Sequence, residues 1–162
     1  MVTELVEVSK YGFKLHLVCN DKGELLSFCL TPGNVDDRDH QTLKTLTKKL
    51  FGKLFGDKGY IPAALFETLF NNGVHLVTGI KNNMKNRLVS LYDRIMLRKR
   101  SIIETINDEL KNICEVEHTR HRAVHNFVMN LISALAAYCF FDKKPAIRCE
   151  RELKTGQQSL FY

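Results

Sequence analysis

Eight of the nine glycines lie at or before Gly79, and the next is Gly156. Glycine punctuates tight turns, so strands and turns are expected in the first half of the chain and helices in the second. Hydrophobic periodicity agrees. Residues 11–20 alternate, with Phe13, Leu15 and Leu17 on one face and Lys14 and His16 on the other, the pattern of a half-buried strand. Asp21-Lys22-Gly23-Glu24 is a turn, and 25–30 a second strand that completes a hairpin ended by Thr31-Pro32-Gly33-Asn34. A helix follows to about residue 50, with Leu43, Leu46 and Leu50 as its apolar stripe. Asp36, Asp37 and Asp39 load its start, where the dipole and capping explain them better than metal binding. Residues 51–55 read as a short buried strand, 62–72 as a helix opened by Pro62, and 74–80 as a further strand. Two helices are expected over 101–115 and 122–141. This order predicts a mixed α/β fold with a helical C-terminal half.

A chain of 162 residues with 44% hydrophobic content is long enough for one domain burying about 70% of its unfolded surface. The five cysteines are odd in number and form no C-x-x-C pair, which argues for a reducing, cytoplasmic setting. Residues 1–5 show no basic flank and no long apolar core, so no signal peptide is visible. The apolar stretch at 122–141 is broken by His125, Asn126, Asn130 and Ser133, and reads as a buried core helix rather than a membrane span. Residues 142–162 are polar, carry Pro145 and read as a tail.

The net charge of +6 is placed unevenly. Acids and bases balance in 1–80 and in 101–162. Residues 81–100 carry Lys81, Lys85, Arg87, Arg94, Arg98, Lys99 and Arg100 against Asp93 alone. So local a stripe suits a phosphate backbone, with a solvated loop as the plainer alternative.

Two carboxylates stand out. Asp57 sits in Gly56-Asp57-Lys58-Gly59-Tyr60, at the end of an expected strand and between glycines that permit close backbone approach. That setting suits a metal or phosphate site, or a turn in which Asp57 merely caps. Glu104 falls with Arg100 and Lys111 within an arc of roughly 40° if the helix extends back through Arg100, away from Ile103, Ile106 and Leu110. Two flanking cations would keep it ionised and could hold phosphates. Ser101-Ile102-Ile103-Glu104 is equally a capping box. Capping requires the helix to begin at Ser101, whereas the catalytic face prefers Arg100 already helical.

Gly56-Asp57-Lys58-Gly59-Tyr60, followed by Arg100-x3-Glu104-x6-Lys111, resembles the second- and third-acid motifs of DDE-type insertion-sequence transposases. The similarity runs from about Tyr11 to Ala146 and includes Gly12-Phe13-Lys14-Leu15-His16 and Thr31-Pro32-Gly33-Asn34-Val35-Asp36-Asp37-Arg38. Insertion-sequence family nine-eight-two is the nearest likeness. The resemblance implies a ribonuclease-H-like sheet flanked by helices, over residues 11–141. It further implies three acids holding two divalent cations, Mg2+ or Mn2+, for DNA strand cleavage and strand transfer. Carried over by position, Asp57 is the second acid and Glu104 the third; Arg100 and Lys111 match the basic partners, with Arg94, Arg98 and Lys99 beside them on the DNA side. DNA, at transposon ends and target, is the implied partner, with a homodimer or pairing with an intact transposase as further possibilities.

Two features depart from the family pattern. Leu97 stands where the signature has a Tyr three residues before its Arg, and Tyr92 is out of register. The family's first acid lies on an opening strand, yet residues 1–10 hold only Glu4 and Glu7, in no similar motif. Residues 1–10 are therefore expected to be a non-matching lead, the first strand and first acid missing, and the chain the C-terminal part of a transposase that is incomplete alone. Two alternatives compete with an enzyme. One is a non-catalytic DNA-binding fragment that pairs with or interferes with an intact transposase. The other is a zinc site from Cys114, His118, His121 and His125, spaced as one stripe if a single helix carries them all.

Overall fold

The computed structural model describes residues 2–6, 12–36, 39–56, 63–79, 90–116 and 123–147, with backbone alone at 2–6, 63 and 100. Five strands form one sheet, β1 (Val2–Val6), β2 (Phe13–Cys19), β3 (Leu25–Pro32), β4 (Gly52–Gly56) and β5 (Val74–Thr78), in the order β3-β2-β1-β4-β5. The hairpin strands β2 and β3 pair antiparallel, as do β1 and β2, whereas β4 runs parallel to both β1 and β5. Helices α1 (His40–Thr47) and α2 (Ala63–Asn71) make the crossovers that parallel pairing demands. Helices α3 (Leu91–Arg98), α4 (Ile102–Asn112) and α5 (Val124–Cys139) follow. The fold is mixed α/β, as the order of elements implied.

Alternation along the strands divides the core in two. Leu15, Leu17 and Cys19 of β2 and Phe55 of β4 pack with Met96, Ile103, Ile106, Leu110, Phe127, Leu131 and Tyr138 from α3, α4 and α5. Val18 and Leu54, one residue out of step, pack with Leu46, Leu65 and Leu69 from α1 and α2. The sheet is thus covered on both faces.

The opening residues correct the sequence reading. Val2–Val6 is no lead outside the fold: it is the central strand, paired with β2 from Val2↔Cys19 to Val6↔Leu15 and with β4 at Val2↔Phe55. Residues 2–6 show no clean alternation, and hydrogen bonding to two neighbours makes them a strand, which pattern alone cannot reveal. Glu4 occupies the register position opposite Leu17, whose side chain belongs to the core under α3, α4 and α5.

Nor is β2 half-buried. His16, expected on the outer face, is 3% exposed, and its Nε2 lies 2.7 Å from the Thr31 hydroxyl, so a satisfied core histidine accounts for it. Asp39 serves the helix start: its carboxylate accepts from the Thr42 N–H and hydroxyl at 2.8 and 2.9 Å, which holds it below the usual carboxylate range. Asp36 precedes this cap and Asp37 lies outside the described residues. Helix α3 is an element that the charge-based reading of 81–100 missed. Its signal was Ser90-Leu91-Tyr92-Asp93: the Ser90 hydroxyl accepts from the Asp93 N–H at 3.1 Å.

Residues 142–147, read as the start of a polar tail, are seated on the β2–β3 turn. The Ile147 N–H donates to the Asp21 carbonyl at 2.7 Å, and the buried Tyr138 hydroxyl donates to the Gly23 carbonyl at 2.8 Å. Gly23 has φ +74°, and a Cβ there would collide with the Pro145 carbonyl. Gly23→Ala therefore combines left-handed strain with a backbone clash and is expected to cost about 2–4 kcal/mol, read as a lower urea midpoint at unchanged slope. Among the described residues no helix is long and apolar enough to cross a membrane.

Candidate nucleic-acid and metal site

The candidate residues lie on two stretches, the end of β4 and the passage from α3 into α4. Strand β4 closes at Gly56, and Asp57 lies outside the described residues. Lys53, the second residue of β4, donates to both carboxylate oxygens of Asp93 on α3, at 2.8 and 2.9 Å. The Lys53 ammonium also sits 5.9 Å from the centre of the Tyr92 ring, and that ring meets Phe55 edge-on at 6.4 Å. An ion pair this exposed adds little stability, since Lys53 is 47% accessible; its value is geometric. It docks the first turn of α3 on the strand that leads to Asp57. No sequence pattern links positions 40 residues apart. Tyr92, out of register with the family signature, is therefore a packing residue of this dock.

From α3 the chain passes through one 3-10 turn, Lys99–Ser101, directly into α4. Ser101 has helical φ and ψ of −55° and −7°, and its side chain makes no capping hydrogen bond. The serine half of the expected capping box is absent, and the backbone of Arg100 is already wound when α4 begins. The Arg100 side chain lies outside the described residues. Ile102, Ile103, Ile106 and Leu110 turn into the core, leaving Glu104 exposed on the outer side. Arg94, Arg98 and Lys99 are exposed along α3 and the turn, and Lys111 is half-buried one helical stretch beyond Glu104.

The zinc alternative required one continuous helix, and the structure denies it. Helix α4 ends at Asn112, Glu115 takes a positive φ of 51°, and α5 starts only at Val124. Cys114 and His125 thus belong to different segments, while His118 and His121 lie outside the described residues. Among the described residues no group of three or more His, Cys, Asp or Glu could hold a metal ion. Glu104 nonetheless fits a hard divalent cation by donor chemistry: its carboxylate is exposed, and the capping box that would engage it lacks its serine half.

The family model of the transposase DDE domain matches residues 9–124. The chain belongs to that family. Membership makes DNA its substrate class and DNA transposition its field of chemistry. No curated protein matches the chain.

Proposed function

We propose that the chain acts on DNA as an insertion-sequence transposase related to family nine-eight-two, cleaving and joining strands with divalent metal. The observation that carries this reading is the unbroken path from α3 through the 3-10 turn into α4. It leaves Glu104 outward on α4, which follows directly from α3, and α3 is docked against the strand that precedes Asp57. A ribonuclease-H-like core is supported by a central strand antiparallel to β2 and parallel to β4. Asp57 and Glu104 would hold Mg2+ or Mn2+, which supplies charge neutralisation at the attacking and leaving oxygens. Arg94, Arg98, Lys99, Arg100 and Lys111 would lie along the DNA backbone, where cations position phosphates without reading sequence. Glu4 holds a register position on the sheet face covered by α4, the only acid of the central strand.

The test is Mn2+-dependent nicking of DNA carrying transposon ends, comparing the unmodified chain with Asp57→Asn and Glu4→Gln. Loss of nicking in Asp57→Asn is expected; full nicking by that variant would overturn the assignment. Loss in Glu4→Gln would add it to the carboxylate set, and retention would leave the set to Asp57 and Glu104.

A second reading, DNA binding without catalysis, is favoured by one observation: Arg94, Arg98 and Lys99 are exposed together. Neutralising Arg94, Arg98 and Arg100 is expected to weaken binding across unrelated sequences and to lower the salt slope by about 3, measured by fluorescence anisotropy across a salt series. An unchanged slope would remove the basic stripe from the interface. Binding without any nicking would favour this second reading.

A further inference from the structure

Among the described residues, the Asn107 Oδ1, the Glu109 Oε2 and the Asn130 Nδ2 are buried without a hydrogen-bond partner. A buried carbonyl that meets no donor costs free energy, which a ligand would recover. Asn107 is the member of this trio that neighbours the candidate site. It follows Glu104 by three residues on α4, roughly 60° round the helix. Lys111, one turn further along, gives its carbonyl no hydrogen bond.

The layering of the helices shows which way Asn107 turns. On one face of the sheet, α5 meets β2 where Phe127 stacks on Phe13, α4 packs over β1, and α3 packs over β4 and β5. Because β1 lies between β2 and β4, one flank of α4 looks toward α5 and the other toward α3 and β4. Glu109 takes the α5 flank: burial first, and the Glu109 carboxylate next, raise the Tyr138 phenol on α5. Asn107 stands roughly 160° round the helix from Glu109, across the buried ridge of Ile106 and Leu110, and so takes the flank toward β4. The register brings that flank to the end of the sheet that carries the site. Val2 pairs with Phe55, so β1 continues past Gly56, where β4 closes, and α4 packs on β1.

We infer that the Asn107 carbonyl is a neutral oxygen ligand, beside Glu104, for the divalent cation of this site. The inference rests on the transposase reading. Side chains three residues apart on a helix have Cβ atoms about 5–6 Å apart, close enough to share one ion. An amide carbonyl is a hard donor of the kind that Mg2+ and Mn2+ accept. Being uncharged, it adds a ligand without adding negative charge to repel the DNA phosphate that the ion must also hold.

Mn2+ binding to the full chain without DNA, read by electron paramagnetic resonance, tests this beside metal-free thermal melts. Asn107→Leu keeps the branching of the side chain and removes the carbonyl. It is expected to raise the metal-free melting temperature by about 2–4 °C, because an apolar group replaces an unpaired acceptor. The same variant is expected to weaken Mn2+ binding by at least about 10-fold. Asn107→Asp retains an oxygen at that position and should bind Mn2+ at least as tightly as the unmodified chain. A merely structural amide would move the melt and leave Mn2+ affinity unchanged, which would overturn the inference. Binding by Asn107→Asp as poor as that of Asn107→Leu would overturn it too. Glu104→Gln separates this inference from the reading beneath it. If Glu104→Gln weakens Mn2+ binding and Asn107→Leu does not, the inference alone falls. If neither changes it, or the unmodified chain binds no Mn2+, the metal reading of α4 falls as well.

Discussion

Glu104→Gln is expected to lower metal-dependent DNA cleavage by at least about 100-fold, since even residues that merely support a metal's ligands cost up to that factor when lost. The substitution keeps the shape of the side chain and removes only its charge. Glu104 is exposed, and Ser101 makes no side-chain capping bond, so the change leaves the core and the start of α4 untouched. The metal-free melting temperature should move by no more than about 2 °C, the scale of an ordinary surface substitution. Two measurements separate chemistry from folding. Nicking of supercoiled plasmid with Mn2+ reads activity, and the rise in melting temperature on adding Mn2+ reads binding, which should shrink in the variant because ligand binding stabilises by mass action. Wild-type nicking by Glu104→Gln would remove the residue from the site whatever the family pattern implies.

Phe127→Ala should have the largest effect on stability. Phe127 is fully buried and its ring stacks on Phe13 at 6.2 Å, so it joins α5 to the face of β2. Truncation removes its transfer free energy and leaves a cavity among residues that α4 and the sheet hold in place. The expected loss is about 3–5 kcal/mol, or roughly 10 °C in melting temperature for a chain of this size. Thermal and urea melts would check it. A loss under about 1 kcal/mol would mean that α5 is not seated as described.

The two substitutions probe different depths of legibility. The core face of α4 could be read from Ile102, Ile103, Ile106 and Leu110, because helical spacing is a local property that a single segment displays. The hairpin β2–β3 and the cap at Asp39 were legible for the same reason: turn and cap chemistry act over three or four residues. Even α3 carried a local signal in Ser90 and Asp93, within a run whose many cations equally suit a solvated loop. What could not be read was pairing. Residues 2–6 became the central strand through hydrogen bonds to β2 and β4, and the dock of Lys53 on Asp93 joins residues that no periodicity connects.

The sequence by itself therefore determined the mixed α/β order, the apolar faces and the two carboxylate-bearing motifs, since each is written in spacing along one segment. Family membership of residues 9–124 agrees with what those motifs implied. Only the tertiary structure decided that residues 2–6 form a strand at the heart of the sheet, that the Ser101 side chain makes no capping bond at the start of α4, and that Cys114 and His125 share no helix. Those outcomes depend on which segments meet and on where a helix is interrupted. Both are settled by competition for burial and hydrogen bonds across the whole chain, and neither is stored in any one stretch.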